Sequence, residues 1–364
     1  MADRTLAPDR SEVGASRALV VAVDTQDPRR PLEPELAEFE ALAAASGATI
    51  VDRVVQRRDH VDPALLVGSG KAHEIADHAK ALDATLLLVL NDLRPRQRKN
   101  LEKIVPLPIV DRTMLILDVF AQHARSREGK LQVELAQLRY RQSNLIGMGA
   151  DLSRLGGGIG TRGPGETKLE VDRRRIQHRI SVLNRQLEDV RRQRATRRAA
   201  PRHEPLVALV GYTNVGKSSL LNRLAKSDAL VADQPFATLD PTMRRVWFKG
   251  DRYVRVVDTV GFITDLPKDL VNAFRATLEE LDDADALVHV VDASNPDWPR
   301  QMQAVDATLE ELSLDDKPRL IAFNKCDAAG AEPPHEAGEL CVSARTGTGI
   351  DILKEALLRI VPEP

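Results

Sequence analysis

LVALVGYTNVGKSS, residues 206–219, is the stretch that decides the fold of the C-terminal half of this chain. It begins with a continuous apolar run, typical of a strand buried on both faces in a parallel sheet. The rest satisfies the pattern GxxxxGK[ST], a glycine-rich loop that joins such a strand to a helix. Backbone N–H groups of this loop can turn inward around a phosphate, and the helix offers its positive end to the anion. The stretch therefore predicts an α/β domain with a phosphate-binding loop.

Two side chains of this loop have predicted roles of their own. Lys217 carries a charge that can reach the β- and γ-phosphates of a nucleotide, which makes it a candidate catalytic residue. The hydroxyl of Ser218 can ligate Mg²⁺, so Ser218 is the first candidate metal ligand. The candidate binding residues of the loop are Gly211, Tyr212, Thr213, Asn214, Val215, Gly216, Lys217, Ser218 and Ser219.

The box NKCD, residues 324–327, indicates which base is bound. It follows an apolar run at residues 318–323 that predicts another buried strand. Guanine presents its N1–H and its exocyclic amine as adjacent donors, and the carboxylate of Asp327 can accept both. Adenine lacks this pair of donors. The predicted ligand is therefore GTP or GDP.

The residues around Asp327 have supporting roles in this prediction. Asn324 is expected to tie its loop to the phosphate loop, and Lys325 to lay its methylene stem over the base. A predicted strand at residues 340–342 would bring a backbone N–H of the next two residues to guanine O6. The candidate base-binding residues are Asn324, Lys325, Cys326, Asp327, Ser343, Ala344 and Arg345.

The box DTVG, residues 258–261, follows a predicted strand at residues 253–257. Asp258 would hold Mg²⁺ through water, and the amide of Gly261 would contact the γ-phosphate. The expected roles are metal ligand for Asp258 and catalytic residue for Gly261.

A loop upstream of this box, FATLD at residues 236–240, supplies the second hydroxyl for Mg²⁺. Thr238 is the candidate, as metal ligand and as catalytic residue. We expect GTP to order both segments and hydrolysis to release them, which would make the domain a switch. Their candidate binding residues are Phe236, Ala237, Thr238, Leu239, Asp240, Asp258, Thr259, Val260 and Gly261.

Phe262 follows the DTVG box, where many regulatory GTPases have a glutamine that orients the attacking water. A phenyl ring cannot accept or donate that hydrogen bond, so intrinsic hydrolysis should be slow. The alternative is that Phe262 is simply packed, which is also compatible with slow turnover. At the loop position of Asn214, several potassium-stimulated GTPases use an asparagine to ligate K⁺, so K⁺ activation is a further hypothesis.

The first third of the chain alternates apolar runs with helical patterns, which predicts a small parallel α/β domain at residues 1–111. The predicted strands are residues 18–23, 49–55, 65–67, 85–90 and 109–110, and the predicted helices are residues 33–45, 72–82 and 96–104. The GTPase domain is predicted at residues 204–364, which completes an α/β fold class.

Residues 112–203 carry helical periodicity on both sides of a glycine-rich stretch, RLGGGIGTRGPGETKLEV at residues 154–171. The first helical part is one helix or two in series, with Gly129 as a candidate interruption. The second has strict heptad spacing. These patterns predict an antiparallel helical hairpin with the glycine-rich loop at its tip. The loop also matches the dinucleotide pattern GxGxxG, but no buried strand precedes it, so it fails the structural context of that motif.

Charge is distributed unevenly along the chain. The net charge is −2, yet residues 168–202 hold 12 Lys and Arg against 4 Asp and Glu. This asymmetry predicts a polyanionic partner for the second helix of the hairpin. The alternative is that the arginines merely solvate an exposed helix.

Composition constrains the setting of the protein. No run of about 18 apolar residues and no secretory signal occur, so a membrane span is not predicted and the cytoplasm is expected, with peripheral membrane association left open. Cys326 and Cys341 are far apart in sequence and are expected to be reduced thiols. The sequence does not fix the oligomeric state, and a monomer is favoured.

The boxes GYTNVGKSS, FATLDPT, DTVGF and NKCD, preceded by GGGIGTRGPGE and a basic helical segment, resemble the HflX family of the Obg–HflX translation GTPases. The resemblance extends over nearly the whole chain. It implies a ribosome-associated GTPase that binds the rRNA of the large ribosomal subunit and helps to split or rescue stalled ribosomes under stress. It also implies that the glycine loop reaches toward the peptidyl-transferase region.

The resemblance leaves some properties open. A C-terminal domain of some relatives is not expected after the last predicted helix, residues 351–361. Some relatives are credited with ATP binding in the N-terminal region, but the turn at residues 68–71 is too short for a phosphate loop. Two other functions stay as alternatives: a signalling switch whose heptad helices bind a protein, and a GTPase of ribosome assembly.

Overall fold

The structure is a computed structural model that describes residues 16–28, 30–155, 164–198, 204–226, 235–236, 241–250, 252–264, 281–328, 330–331 and 340–362. It divides into two compact units, Met1–Gln122 with Val133–Gln186 and His123–Gln132 with Leu187–Pro364. The division into three domains at residues 1–111, 112–203 and 204–364 stays a prediction.

The first unit contains a four-stranded parallel sheet in the order β2-β1-β3-β4. Its strands alternate with helices in the sequence, as the predicted α/β domain requires. Leu19 and Val21 of β1 and Leu87 and Val89 of β3 are fully buried and pack with Ile75. The elements are β1 (Arg17–Asp24), α1 (Leu32–Ala45), β2 (Thr49–Arg57), α2 (Ser69–Ala81), β3 (Leu86–Val89), α3 (Pro95–Ile104) and β4 (Ile109–Asp111).

The prediction of a strand at residues 65–67 is wrong. Leu66 forms only an isolated bridge to Asp62, and a tight turn lies between them. The Asp62 carboxylate stabilises this turn, because its Oδ1 accepts the backbone N–H groups of Ala64 (2.8 Å) and Leu65 (2.9 Å). Leu66 and Val67 are nevertheless buried. The apolar run therefore reports burial of a turn and not strand pairing.

Three helices follow this sheet: α4 (Arg112–His123), α5 (Arg127–Leu155) and α6 (Pro164–Arg198). The break between α4 and α5 lies just before Arg127, so the expected interruption at Gly129 is displaced. Ser126 caps the start of α5, because its Oγ accepts the Gly129 N–H at 2.9 Å. The predicted tip of the hairpin, residues 156–163, lies outside the described residues.

Two side-chain clusters of the first unit involve α5 and α6. Buried Asp111, at the carboxyl end of β4, accepts hydrogen bonds from the Tyr140 hydroxyl of α5 and from Arg98 Nη2, the latter at 2.6 Å. Burial and the neighbouring Asp111 carboxylate raise the pKa of Tyr140, so the phenol stays a donor. Arg179 of α6 makes two hydrogen bonds to Glu134 of α5, at 2.7 and 2.9 Å.

In the part of the chain that the structure describes, no helix is long and apolar enough to cross a membrane.

The second unit contains a six-stranded sheet in the order β10-β9-β8-β5-β7-β6. Only β6 is antiparallel to its neighbour among these pairs. Every residue of β5 and β8 is buried, as expected for central strands between helices. The elements are β5 (Leu206–Gly211), α7 (Lys217–Ala225), β6 (Thr242–Phe248), β7 (Arg252–Asp258), β8 (Ala286–Asp292), α8 (Trp298–Glu311), β9 (Arg319–Asn324), β10 (Leu340–Cys341) and α9 (Ile350–Ile360).

Candidate nucleotide-binding site

The loop between β5 and α7 has a backbone that requires glycine at two positions. Gly211 has φ +149°, and a Cβ there would lie 2.3 Å from the carbonyl oxygen of Val290 in β8. Gly216 has φ +91°, and a Cβ would lie 2.4 Å from Asn324 Nδ2. Both conformations are strained for residues with a side chain. The phosphate loop is therefore in close contact with β8 and with the loop after β9.

Lys217, the first residue of α7, lies beneath this loop. It is 6% exposed, and its Nζ donates to the carbonyl oxygens of Gly211 (3.0 Å) and Tyr212 (2.7 Å). Burial lowers the pKa of Lys217 to about 8, and the nearby Asp258 carboxylate opposes this shift. A buried cation at a helix N-terminus is a favourable environment for an anion such as a phosphate.

Ser218 and Asp258 meet beside Lys217. The Ser218 hydroxyl donates to Asp258 Oδ2 at 2.6 Å, and the carboxylate is 2% exposed. Hydroxyl and carboxylate oxygens are the ligands that Mg²⁺ prefers, so this pair fits the predicted metal role. The third predicted ligand, Thr238, lies outside the described residues, as do Ala237, Leu239 and Asp240. Phe236 is described and is buried.

The DTVG box runs along the phosphate loop. The Thr259 hydroxyl donates to the carbonyl oxygen of Leu209 in β5 at 2.7 Å. A Cβ on Gly261 would lie 2.9 Å from Thr213 Cα and 3.0 Å from Lys217 Nζ. Gly261 thus lies directly against the loop where the γ-phosphate is expected. Phe262 is 2% exposed, as the packed alternative for this residue requires.

The loop after β9 is attached to the phosphate loop through Asn324. Its Nδ2 donates to the Val215 carbonyl oxygen at 2.8 Å, and its Oδ1 accepts the Ala344 N–H at 3.0 Å. One amide therefore joins the phosphate loop, its own loop and the loop after β10. Lys325 adds a second link, because its Nζ donates to the Asn214 carbonyl oxygen at 2.9 Å.

Asp327 is held with its carboxylate ionised. Its Oδ1 accepts the Ser343 hydroxyl at 2.6 Å, and Arg345 forms an ion pair with its Oδ2. The hydrogen bond from Ser343 is the largest cause that lowers the pKa of Asp327, and the Arg345 charge adds to it. An ionised carboxylate is the acceptor that the two guanine donors need.

The structure corrects the expectation that Cys326 and Cys341 are reduced thiols. They form a disulfide, with their Cα atoms 6.2 Å apart. Parallel pairing of β9 with β10 places them together, since Cys341 is in register with Phe323. The disulfide covalently joins the loop after β9 to the last residue of β10, directly before the loop with Ser343 and Ala344.

Asp292 is a site residue that the sequence motifs do not identify. It ends β8, is 9% exposed, and its Oδ2 forms an ion pair with Lys325 Nζ at 2.7 Å. The available signal was its position directly after the apolar run of β8, because carboxyl ends of parallel strands gather at one edge of a sheet. The pair holds the Lys325 stem at the predicted base site.

Three family models match the chain in series. The model described as "GTP-binding GTPase N-terminal" matches residues 33–121, and "GTP-binding GTPase Middle Region" matches residues 123–200. The model described as "50S ribosome-binding GTPase" matches residues 206–325. The last of these covers the phosphate loop, the DTVG box and the start of the NKCD box.

Curated relatives named GTPase HflX are similar over most of the chain. The protein of Lacrimispora saccharolytica is 48% identical, with 95% of this chain and 83% of the relative covered. That of Caldanaerobacter subterraneus subsp. tengcongensis is 45% identical over 94% and 80%. That of Escherichia coli K12 is 43% identical over 96% and 83%.

A solved structure described as "crystal structure of SsGBP and GDP complex" is similar to this chain with a TM-score of 0.52 and 22% identity. The match covers 94% of this chain and 98% of that chain, which shows a shared fold.

Proposed function

We propose, from the premise that this chain belongs to the HflX family of GTPases, that it binds the large ribosomal subunit and that its nucleotide state controls this binding. The chain hydrolyses GTP to GDP and phosphate, as its family does. In the proposal, the protein splits or rescues stalled ribosomes under stress, as a monomer in the cytoplasm. The family description of residues 206–325 as a 50S ribosome-binding GTPase supports the choice of partner.

The exposed arginines of α6 are the observation that carries the proposal. Arg174 and Arg175 are 75% and 78% exposed. Their ion pairs with Glu170 (3.4 Å) and Asp172 (3.7 Å) are long contacts within one helix turn. Exposed pairs of this kind contribute about 0.3–0.5 kcal/mol, so the arginines can exchange them for RNA phosphates.

The proposed roles at the nucleotide follow the geometry of the second unit. Lys217 binds the β- and γ-phosphates, the Gly261 amide contacts the γ-phosphate, and Asp327 reads the guanine. Ser218 and Asp258 would hold Mg²⁺ together with Thr238. When bound, Mg²⁺ neutralises charge that develops on the phosphate oxygens during transfer.

Buried Phe262 is the reason to propose that a partner controls the rate of GTP hydrolysis. Its ring cannot orient a water, so the isolated chain should turn over slowly until a partner completes the site. We propose that the large subunit is this partner.

K⁺ activation through Asn214 belongs to the same proposal. A K⁺ ion near the phosphates would supply positive charge that stabilises the negative charge developing there in the transition state. Initial rates of GTP turnover in KCl are expected to exceed those in NaCl of equal ionic strength. Equal rates would contradict this part of the proposal.

The experiment on the arginine face is salt-dependent sedimentation with purified large ribosomal subunits. We expect R173A/R174A/R175A to weaken co-sedimentation and to reduce the slope of log affinity against log salt by about three. The matched control, R53A/R57A/K80A, removes three exposed cations from β2 and α2 and should keep the wild-type slope.

Either of two results would contradict the proposal. One is an unchanged slope for the α6 variant. The other is wild-type protein that does not sediment with the subunit at low salt, as expected for a signalling switch that binds a protein. Splitting is distinguished from ribosome assembly by adding the protein to intact ribosomes and measuring their dissociation in sucrose gradients.

A further inference from the structure

We infer that Tyr212 is a positioning residue of GTP hydrolysis, because its hydroxyl fixes the segment after the DTVG box to the phosphate loop. This inference rests on the proposed contact between the Gly261 amide and the γ-phosphate. The phosphate-loop motif gives the Tyr212 side chain no role, since the loop uses the backbone at this position.

The Tyr212 hydroxyl is the centre of the contact. It accepts the backbone N–H of Thr264 at 2.8 Å, and it lies 2.8 Å from Thr264 Oγ1, with which it shares a second hydrogen bond. Tyr212 is 4% exposed. Hydrogen bonds in such a protected place hold their geometry better than exposed ones, because water does not compete for them.

The backbone on either side continues this connection. Thr213 N–H donates to the Phe262 carbonyl oxygen at 2.8 Å, and Phe262 N–H donates to the Gly211 carbonyl oxygen at 3.1 Å. The two segments thus form a short parallel bridge, Tyr212 with Phe262. The Tyr212 hydroxyl extends the bridge by two residues, to Thr264.

Gly261 lies at the start of the bridged segment, beside Thr213 and Lys217. A Cβ added to Gly261 would come within 2.9 Å of Thr213 Cα, so there is no room for a side chain between Gly261 and the loop. A displacement of the segment therefore moves the Gly261 amide relative to the phosphates. Misplacement of a catalytic group by about 1 Å can cost about 100-fold in rate.

The absence of a glutamine after Gly261 makes this connection more important. Phe262 and Ile263 are buried, so their side chains pack the segment into the protein. The group of this segment that is proposed to contact the γ-phosphate is therefore a backbone amide, that of Gly261. Tyr212 supplies the hydrogen bond that holds the end of this segment. Its effect should be felt in the transition state and with a γ-phosphate, but not with GDP.

The test is Tyr212→Phe, which keeps the ring and removes only the hydroxyl. Single-turnover GTP hydrolysis by the purified full chain, without ribosomes, should slow about tenfold. GDP affinity should stay within about twofold, while affinity for a non-hydrolysable GTP analogue falls more. Tyr253→Phe is the matched control, since this tyrosine lies on the exposed face of β7, and its rate should equal that of wild type.

A second variant keeps the inference testable if Tyr212→Phe folds poorly. Thr264→Val removes the side-chain bond but keeps the backbone N–H, so it should slow hydrolysis less than Tyr212→Phe. In the double variant the two effects should not add, because both act on the same hydroxyl.

An unchanged single-turnover rate in Tyr212→Phe would overturn the inference. So would an equal loss of affinity for GDP and the GTP analogue, since that is the pattern of a merely structural residue. Neither measurement involves ribosomes, so the ribosomal proposal can fail while this inference stands, and the reverse.

Discussion

Among the described residues, glycines and a lysine lie together at the start of both α2 and α7, but only the loop before α7 follows a strand directly and has the geometry of a phosphate site. At the start of α2, Gly68 has φ −63° and Gly70 has open space around it. The Lys71 side chain there is paired with Glu74 at 2.7 Å and is 24% exposed. At the start of α7, two glycines have positive φ and Lys217 is buried.

The difference shows which features make a phosphate loop. Glycine at positive φ lets the backbone curl, which turns several N–H groups toward one point. A buried lysine that has no carboxylate partner within its own helix turn can interact with the charge of a bound phosphate instead. The turn at α2 contains glycines and a lysine, but it has neither a glycine at positive φ nor a buried lysine. We therefore expect it to bind no nucleotide phosphate.

The largest effect is expected from the lysines. Lys217→Ala should weaken GTP and GDP binding at least about 100-fold, because a charge-assisted contact is lost in a buried place. Lys71→Ala should leave affinity unchanged. Fluorescent GDP titration measures both, and nucleotide binding that survives Lys217→Ala but not Lys71→Ala would reverse the comparison.

The glycines give the next effect. Gly216→Ala places a Cβ into Asn324 at positive φ, so it should destabilise the second unit by about 1–3 kcal/mol and weaken GDP binding. Gly70→Ala should stabilise the first unit by up to about 1 kcal/mol, since alanine favours a helix. Thermal unfolding tests this, and a tolerated Gly216→Ala would argue against the close contact with Asn324.

Titration of Lys217 tests whether its burial makes the stability of the protein depend on pH. Its pKa is lowered from 10.5 to about 8, so the buried charge costs stability in full below pH 8. This cost is relieved as pH rises from about 8 to 10.5, by at most about 1.4 kcal/mol per pH unit. Urea unfolding of nucleotide-free protein should therefore show wild type gaining stability relative to Lys217→Met across that range. A constant difference would show that the lysine is not buried as a cation.

Reduction of the disulfide is expected to have the smallest effect. Dithiothreitol converts the Cys326–Cys341 bond to two thiols and is itself oxidised to a cyclic disulfide. GDP affinity should fall about two- to fivefold, because Ser343 and Asn324 still join the two base loops. Cys341→Ser should have the reduced affinity with or without dithiothreitol. If the GDP affinity of the wild type were the same with and without dithiothreitol, a role of the disulfide in base binding would be contradicted.

The sequence predicts β5, β7 and β9 with their motifs, but the central strand β8 is not among the predicted strands, although every one of its residues is buried. β5 is buried along its whole length and is a continuous apolar run, whereas β7 alternates, with Tyr253 exposed and Val254 buried. Each of β5, β7 and β9 ends in a recognisable box. The edge strand β6 escapes prediction because it is antiparallel and half exposed, with Trp247 50% exposed on its outer face. Its pattern lacks the apolar run on which the prediction depends.

Other features depend on which strands are neighbours, and local patterns do not contain that information. The disulfide requires β9 beside β10, and the pair of Lys325 with Asp292 requires β8 beside β9. The Tyr212–Thr264 contact joins residues 52 positions apart. The turn at Leu66 shows the reverse error, since burial there produced an apolar run without a strand.

Activation of this GTPase by the large ribosomal subunit is tested by steady-state GTP turnover of the purified chain, with and without large ribosomal subunits. We expect slow turnover without subunits, and stimulation that rises with subunit concentration and saturates. Lys217→Ala should show no turnover under either condition. Turnover by the wild type that is unaffected by saturating subunits would contradict the claim that the ribosome completes this site.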